Sequence, residues 1–146
     1  VKAYFFNYHR GEKDVMGRTI LVVDDEELVL DISKRKLVQA GYAAIGVSDG
    51  EAALQVLREG PVDLIILDIE MPRLNGYNFI SERAKIPGAG GVPVIVLTAY
   101  ESMEPIFRRH GIRGYLVKPV KFQDLLRKVR EVIGEPDPRG VPLPSE

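Results

Sequence analysis

Five short runs rich in Val, Ile and Leu, at 19–23, 42–47, 62–67, 93–97 and 114–117, alternate along this chain with stretches of helical pattern. Three of the five are nearly continuous in apolar character instead of alternating with polar residues. That is the pattern of strands buried on both faces of a parallel sheet. Each interval is long enough for a right-handed crossover, so the series predicts five β-α units and an open, doubly wound α/β sheet. A length of 146 residues suits one such domain. In sheets of this kind the working site lies beyond the carboxyl ends of the strands.

The helical stretches have recognisable ends. The first puts Val29, Ile32, Leu37 and Ala40 on one side and stops at Gly41. The second opens on Ser48-Asp49-Gly50-Glu51, the Ser-x-x-Glu of a capping box, and ends near Gly60-Pro61. The third spans about 77–85, and the fourth follows Ser102 and closes at Gly111. The last spaces Phe122, Leu125, Leu126, Val129, Val132 and Ile133 helically before Gly134. Gly88-Ala89-Gly90-Gly91 precedes a strand and lacks the Lys-Ser/Thr of a phosphate-binding loop, so it reads as a connection.

Both termini differ from this core. Residues 1–17 are aromatic and then polar, without a continuing periodicity, and are expected to be an N-terminal extension, linker or expression-derived, with Met16 as a natural start. Residues 135–146 carry four prolines and read as an extended tail. The folded unit is thus expected over 18–134. With no cysteine, a disulfide scaffold, a thiolate metal site and a thiol nucleophile are excluded, and a cytoplasmic location is the expectation. The net charge of -1 gives no mark of a nucleic-acid binder. The longest wholly apolar runs, 64–67 and 94–97 among them, have four residues and fall far short of the ~20 residues of a membrane helix.

Chemistry-bearing residues collect at the strand ends. The first strand runs out into Asp24, Asp25, Glu26 and Glu27. A helix N-terminus favours acids and accounts for Glu26 and Glu27, but Asp24 and Asp25 sit nearer the strand. Crowding carboxylates is costly without a cation. The third strand ends in Asp68, followed by Ile69, Glu70, Met71 and Pro72. Three carboxylates from two strand ends suit an oxygen-only site of the kind Mg2+ prefers. The fourth strand adds the hydroxyl of Thr98 and the fifth the ammonium of Lys118. A carboxylate among a divalent cation, a hydroxyl and an ammonium is equipped to attack phosphorus and hold the product.

Asp24-Asp25 after Ile-Leu-Val-Val, Asp68 in Leu-Ile-Ile-Leu-Asp-Ile-Glu-Met-Pro, Gly76, Thr98 in Val-Leu-Thr-Ala, and Lys118-Pro119 in Tyr-Leu-Val-Lys-Pro together resemble the receiver domain of two-component response regulators. The resemblance covers about 18–133. It implies a flavodoxin-like (βα)5 fold, as in the CheY-like superfamily, with strand order 2-1-3-4-5. It implies that Asp68 is the phosphoacceptor, taking a phosphoryl group from a phosphohistidine on a sensor histidine kinase or phosphotransfer protein. By the same resemblance Asp25 and Asp68 ligate Mg2+ directly, the Glu70 backbone carbonyl is a third ligand, and Asp24 acts through water. Lys118 and Thr98 each bind a phosphoryl oxygen. Tyr115 takes the switch-aromatic position: as Thr98 is drawn to the phosphoryl group, the ring turns inward and reshapes the face of the fourth helix, fifth strand and fifth helix for a protein partner. Tyr100, two residues after Thr98, is expected to shield the phosphoryl group from water.

The implied protein is a signalling switch, not an enzyme beyond self-phosphotransfer and slow autodephosphorylation. Neither direct nucleic-acid binding nor membrane binding is expected, and homodimerisation is left open. Lys118 lies only 20 positions after Thr98, so the fourth helix is expected to be short or displaced. A receiver within a larger regulator or hybrid histidine kinase is the alternative reading. A small aspartyl-phosphate hydrolase and a phosphorylation-independent adaptor stand behind it.

Overall fold

The alternation of apolar runs and helical patterns folds into a single six-stranded sheet with helices on both faces, described by a computed structural model for residues 3–6, 18–101 and 112–136. The strands are β1 (Ala3–Phe6), β2 (Thr19–Val23), β3 (Ala43–Val47), β4 (Leu64–Asp68), β5 (Val94–Thr98) and β6 (Ile112–Val117). The helices among the described residues are α1 (Glu27–Gln39), α2 (Gly50–Glu59), α3 (Gly76–Ala84) and α4 (Phe122–Ile133). The fourth helical stretch foreseen after Ser102 lies outside the described residues, as does the tail beyond 136.

Strand order is β1-β3-β2-β4-β5-β6. Strands β2 to β6 pair in parallel, and they make up the expected five-stranded sheet in its 2-1-3-4-5 order. The sixth strand comes from the extension, where the sequence shows no periodicity: Ala3–Phe6 runs antiparallel along β3, with Ala3 opposite Val47 and Phe6 opposite Ala44. The reason is that β3 would otherwise end the sheet with a row of unpaired backbone groups. Pairing there asks only for an extended, β-prone segment, not for a periodic one.

Successive residues of each buried strand serve opposite faces, which splits the interior into two cores. Leu21, Val23, Ile65, Leu67, Val94 and Val96 meet the apolar sides of α2 and α3. Ile20, Val22, Leu64, Ile66 and Ile95 meet those of α1 and α4. This is why the runs read as continuous and not alternating.

Helix α1 differs from the sequence reading. Its buried face is Leu30, Lys34, Leu37 and Val38, whereas Val29 and Ile32 are exposed, together with Leu28. Apolar residues go more than halfway round this helix, so the pattern alone left its inward side open to error. Burying Lys34 works because its long stem covers apolar surface. The close seat of α1 on the sheet needs Gly46 of β3: a Cβ there would come within 2.9 Å of Leu30 Cγ and Lys34 Cδ. The cap of α2 is Asp49, one residue past the expected Ser48, and its Oδ1 accepts from the Ala52 N–H at 2.7 Å. Asn75 caps α3 in the same way through the Asn78 N–H at 3.1 Å. No described helix is long and apolar enough to cross a membrane.

Candidate functional site

Parallel strands share one polarity, so their C-terminal residues arrive at one edge. Asp24 follows directly on β2, Asp68 and Thr98 close β4 and β5, and Lys118 follows directly on β6. Because β2, β4, β5 and β6 are successive neighbours, four segments distant in sequence become adjacent. The two aspartates use the same local device. Asp24 Oδ1 accepts from the Glu26 N–H at 2.9 Å, and Asp68 Oδ1 accepts from the Glu70 N–H at 2.9 Å. Each bond folds the chain sharply off its strand and leaves the carboxylate at the sheet edge. The Lys118 N–H donates to the Thr98 carbonyl at 2.7 Å, which fixes the start of the lysine's reach.

Asp24, Asp25 and Asp68 each offer a carboxylate oxygen, and these lie within 4.8 Å of one another. Asp24 and Asp68 are buried, at 5% and 3% exposure, while Asp25 is exposed. Burial is the main cause that pushes the Asp24 carboxyl up to about 6; the Glu26 N–H opposes it and the Asp68 charge adds to it. Lys118 Nζ lies 2.9 Å from Asp68 Oδ2 and 3.4 Å from Glu70 Oε1. Burial alone would lower the Lys118 pKa, but the hydrogen bond and charge of Asp68, joined by Glu70, outweigh it and hold the ammonium above its ordinary value. One ammonium thus leaves Asp24 still short of compensation. An all-oxygen, acid-rich cluster of this kind fits a hard divalent cation such as Mg2+.

Asp24, Asp25, Asp68, Glu70, Thr98 and Lys118 gather here, and Tyr115 connects at one remove. The Thr98 hydroxyl accepts from the Tyr100 N–H at 3.1 Å, and the Tyr115 hydroxyl donates to the Tyr100 carbonyl. The Tyr100 ring is 59% exposed. What sequence reading missed is the set of partners that the Glu70 side chain takes. Its Oε2 accepts from Thr98 Oγ1 at 2.6 Å and from the Ala99 N–H. Burial raises the Glu70 carboxyl, but these bonds and Lys118 outweigh burial and leave it below the ordinary range. An acid two residues past Asp68 was legible, but its crossing to a residue 28 positions away was not. The backbone donor of Ala99 has no side-chain signature at all.

A cleft of ≈ 690 Å3 opens on Asp68 and Lys118 and is walled by Val29 and Ile32 of α1 and by Phe122 and Leu125 of α4. Two of the exposed apolar residues of α1, Val29 and Ile32, therefore border the acidic site.

The fold is that of a response-regulator signalling module, and the chain belongs to the response regulator receiver domain family, which it matches over residues 20–130. It is 34% identical over 120 residues to "Probable transcriptional regulator ycf27" of Porphyridium aerugineum, a match covering 81% of this chain and 49% of that protein. The chain thus spans about half the length of such relatives. Among solved structures it resembles the chemotaxis response regulator CheY4 of Vibrio cholerae, with TM-score 0.72 and 29% identity over 79% of this chain and 98% of that one. It also resembles the receiver domain of the sensor histidine kinase PA1611 from Pseudomonas aeruginosa, with TM-score 0.71 and 30% identity over 82% and 99% of the two chains. That structure has a magnesium ion coordinated in its active site cleft.

Proposed function

We propose that this receiver takes a phosphoryl group onto Asp68 from a phosphohistidine of a sensor histidine kinase or phosphotransfer protein, in the cytoplasm, and passes the event on as a changed surface. The observation that supports it is the convergence on buried Asp68 of the Lys118 ammonium at 2.9 Å and two further carboxylates. Asp25 and Asp68 would hold Mg2+ directly together with the Glu70 backbone carbonyl, and Asp24 through water. When bound, the ion offsets the repulsion between an anionic nucleophile and an anionic donor.

In the transfer, an Asp68 oxygen forms a bond to phosphorus while the P–N bond of the phosphohistidine breaks and its electron pair leaves with the imidazole. Lys118 holds one phosphoryl oxygen as a point charge, and the Thr98 hydroxyl holds another. Movement of Thr98 is relayed through Tyr100 to Tyr115. The donor approaches through the cleft beside Asp68, whose apolar wall suits a protein surface better than a small molecule. The half-length match to transcriptional regulators favours a receiver that works within a longer regulator. A self-phosphorylating switch of this type turns over slowly, unlike a hydrolase.

Intact mass after incubation with Mg2+ and a small phosphodonor tests the reading. The parent chain should gain one phosphoryl group per molecule, and Asp68→Asn none. Equal gain by both chains would reject Asp68 as acceptor, and repeated phosphate release from many phosphomonoesters would favour the hydrolase.

A further inference from the structure

The Glu70 carboxylate gathers three donors from two strand ends. The Thr98 hydroxyl and the Ala99 amide meet one of its oxygens, and Lys118 lies 3.4 Å from the other. Lys118 at the same time holds Asp68 at 2.9 Å. A phosphoryl group bonded to Asp68 would present its anionic oxygens to this same hydroxyl and ammonium, next to that amide. The contacts continue outward: the fully buried Thr98 accepts from Tyr100, and the Tyr100 carbonyl accepts from Tyr115, whose ring packs against the core on the α2 and α3 face. Thr98 is thus held by the Glu70 carboxylate, and the partly buried Tyr115 ring is tied to the same chain of contacts.

We propose that the Glu70 carboxylate is an internal surrogate for the phosphoryl group: it occupies the phosphoryl-binding donors, holds Thr98 and Tyr115 in the switched arrangement, and must be displaced before Asp68 can be phosphorylated. The proposal rests on the receiver reading. An ordinary ion pair with Lys118 is the plain alternative, since the Glu70 side chain is 26% exposed. Such a pair would engage the ammonium only. Here both carboxylate oxygens are engaged, and one of them is met by a fully buried hydroxyl at 2.6 Å as well as by a backbone amide.

Two effects of opposite sense follow. Removing the carboxylate frees the donors for an incoming phosphoryl group, and it also loosens the switch before phosphate arrives. General damage to the site would slow the chemistry as it loosened the switch. The full chain is labelled with fluorotyrosine, and its Tyr115 signal is assigned by Tyr115→Phe. The parent, Glu70→Ala and Glu70→Gln are then treated with acetyl phosphate and Mg2+; an Asp68 oxygen bonds to phosphorus, the P–O bond to the acetyl group breaks, and acetate leaves. Glu70→Ala should be phosphorylated faster by on the order of tenfold, the factor that matches loss of one charge-assisted hydrogen bond. Before treatment its Tyr115 fluorine signal should move toward the exposed position, and phosphorylation should return it to the parent's. Glu70→Gln, which keeps an acceptor without the charge, should fall between. An unmoved Tyr115 signal, or phosphorylation of Glu70→Ala no faster than the parent, overturns the proposal. If neither parent nor variants accept phosphate, the receiver chemistry fails by itself, and the Tyr115 signal still decides whether Glu70 holds the switch.

Discussion

Asp24 carries the electrostatic conflict of the site in a single side chain. Its carboxyl is buried against Asp68 and sits at about 6 in the folded chain, against 3.8 in the unfolded one. Between those values the folded state binds more protons than the unfolded state, so this group makes stability fall as pH rises through the window and leaves it flat above. Denaturant unfolding in the presence of a chelator should therefore show the parent losing stability relative to Asp24→Asn as pH goes from about 4 to about 6. Identical pH slopes for the two chains would mean that the Asp24 carboxyl is not strained by folding. Most of the site was legible at this scale, because Asp24, Asp68, Thr98 and Lys118 each end an apolar run and a parallel sheet brings such ends together. Glu70 was legible as a residue but not as a contact, since its partners Thr98 and Ala99 reach it only through the pairing of β4 with β5.

Among the elements, α1 and β3 show where pattern falls short of packing. The five parallel strands were legible within two residues at each end, because β-branched runs between turn residues leave few alternatives. The inward face of α1 was not: Val29 and Ile32 compete with Leu30 and Val38 for the sheet, and Gly46 helps decide which side seats. Replacing Gly46 by Val puts atoms where Leu30 and Lys34 already lie, and overpacking of this kind costs roughly 1–3 kcal/mol. Urea unfolding should show a lower midpoint for Gly46→Val, while Gly91→Ala, where a Cβ meets nothing within 4 Å, should match the parent. An unchanged midpoint for Gly46→Val would mean that α1 shifts off β3 without penalty.

At the scale of the whole molecule, the core residues whose burial is described all lie after residue 18, and β1 pairs with β3 at the edge of the sheet. A chain lacking residues 1–16 should keep a single cooperative unfolding transition and accept phosphate at the parent's rate. Loss of cooperativity would show that the edge strand is part of the folding unit. By itself the sequence determined the five parallel strands, their alternation with the described helices and the residues at the sheet's working edge, because apolar periodicity and strand-end chemistry are properties of consecutive residues. The tertiary structure decided the antiparallel sixth strand, the seat of α1 and the hold of Glu70 on Thr98. Each of these depends on which atoms from distant parts of the chain are left facing one another once the sheet has closed, and no local pattern records that.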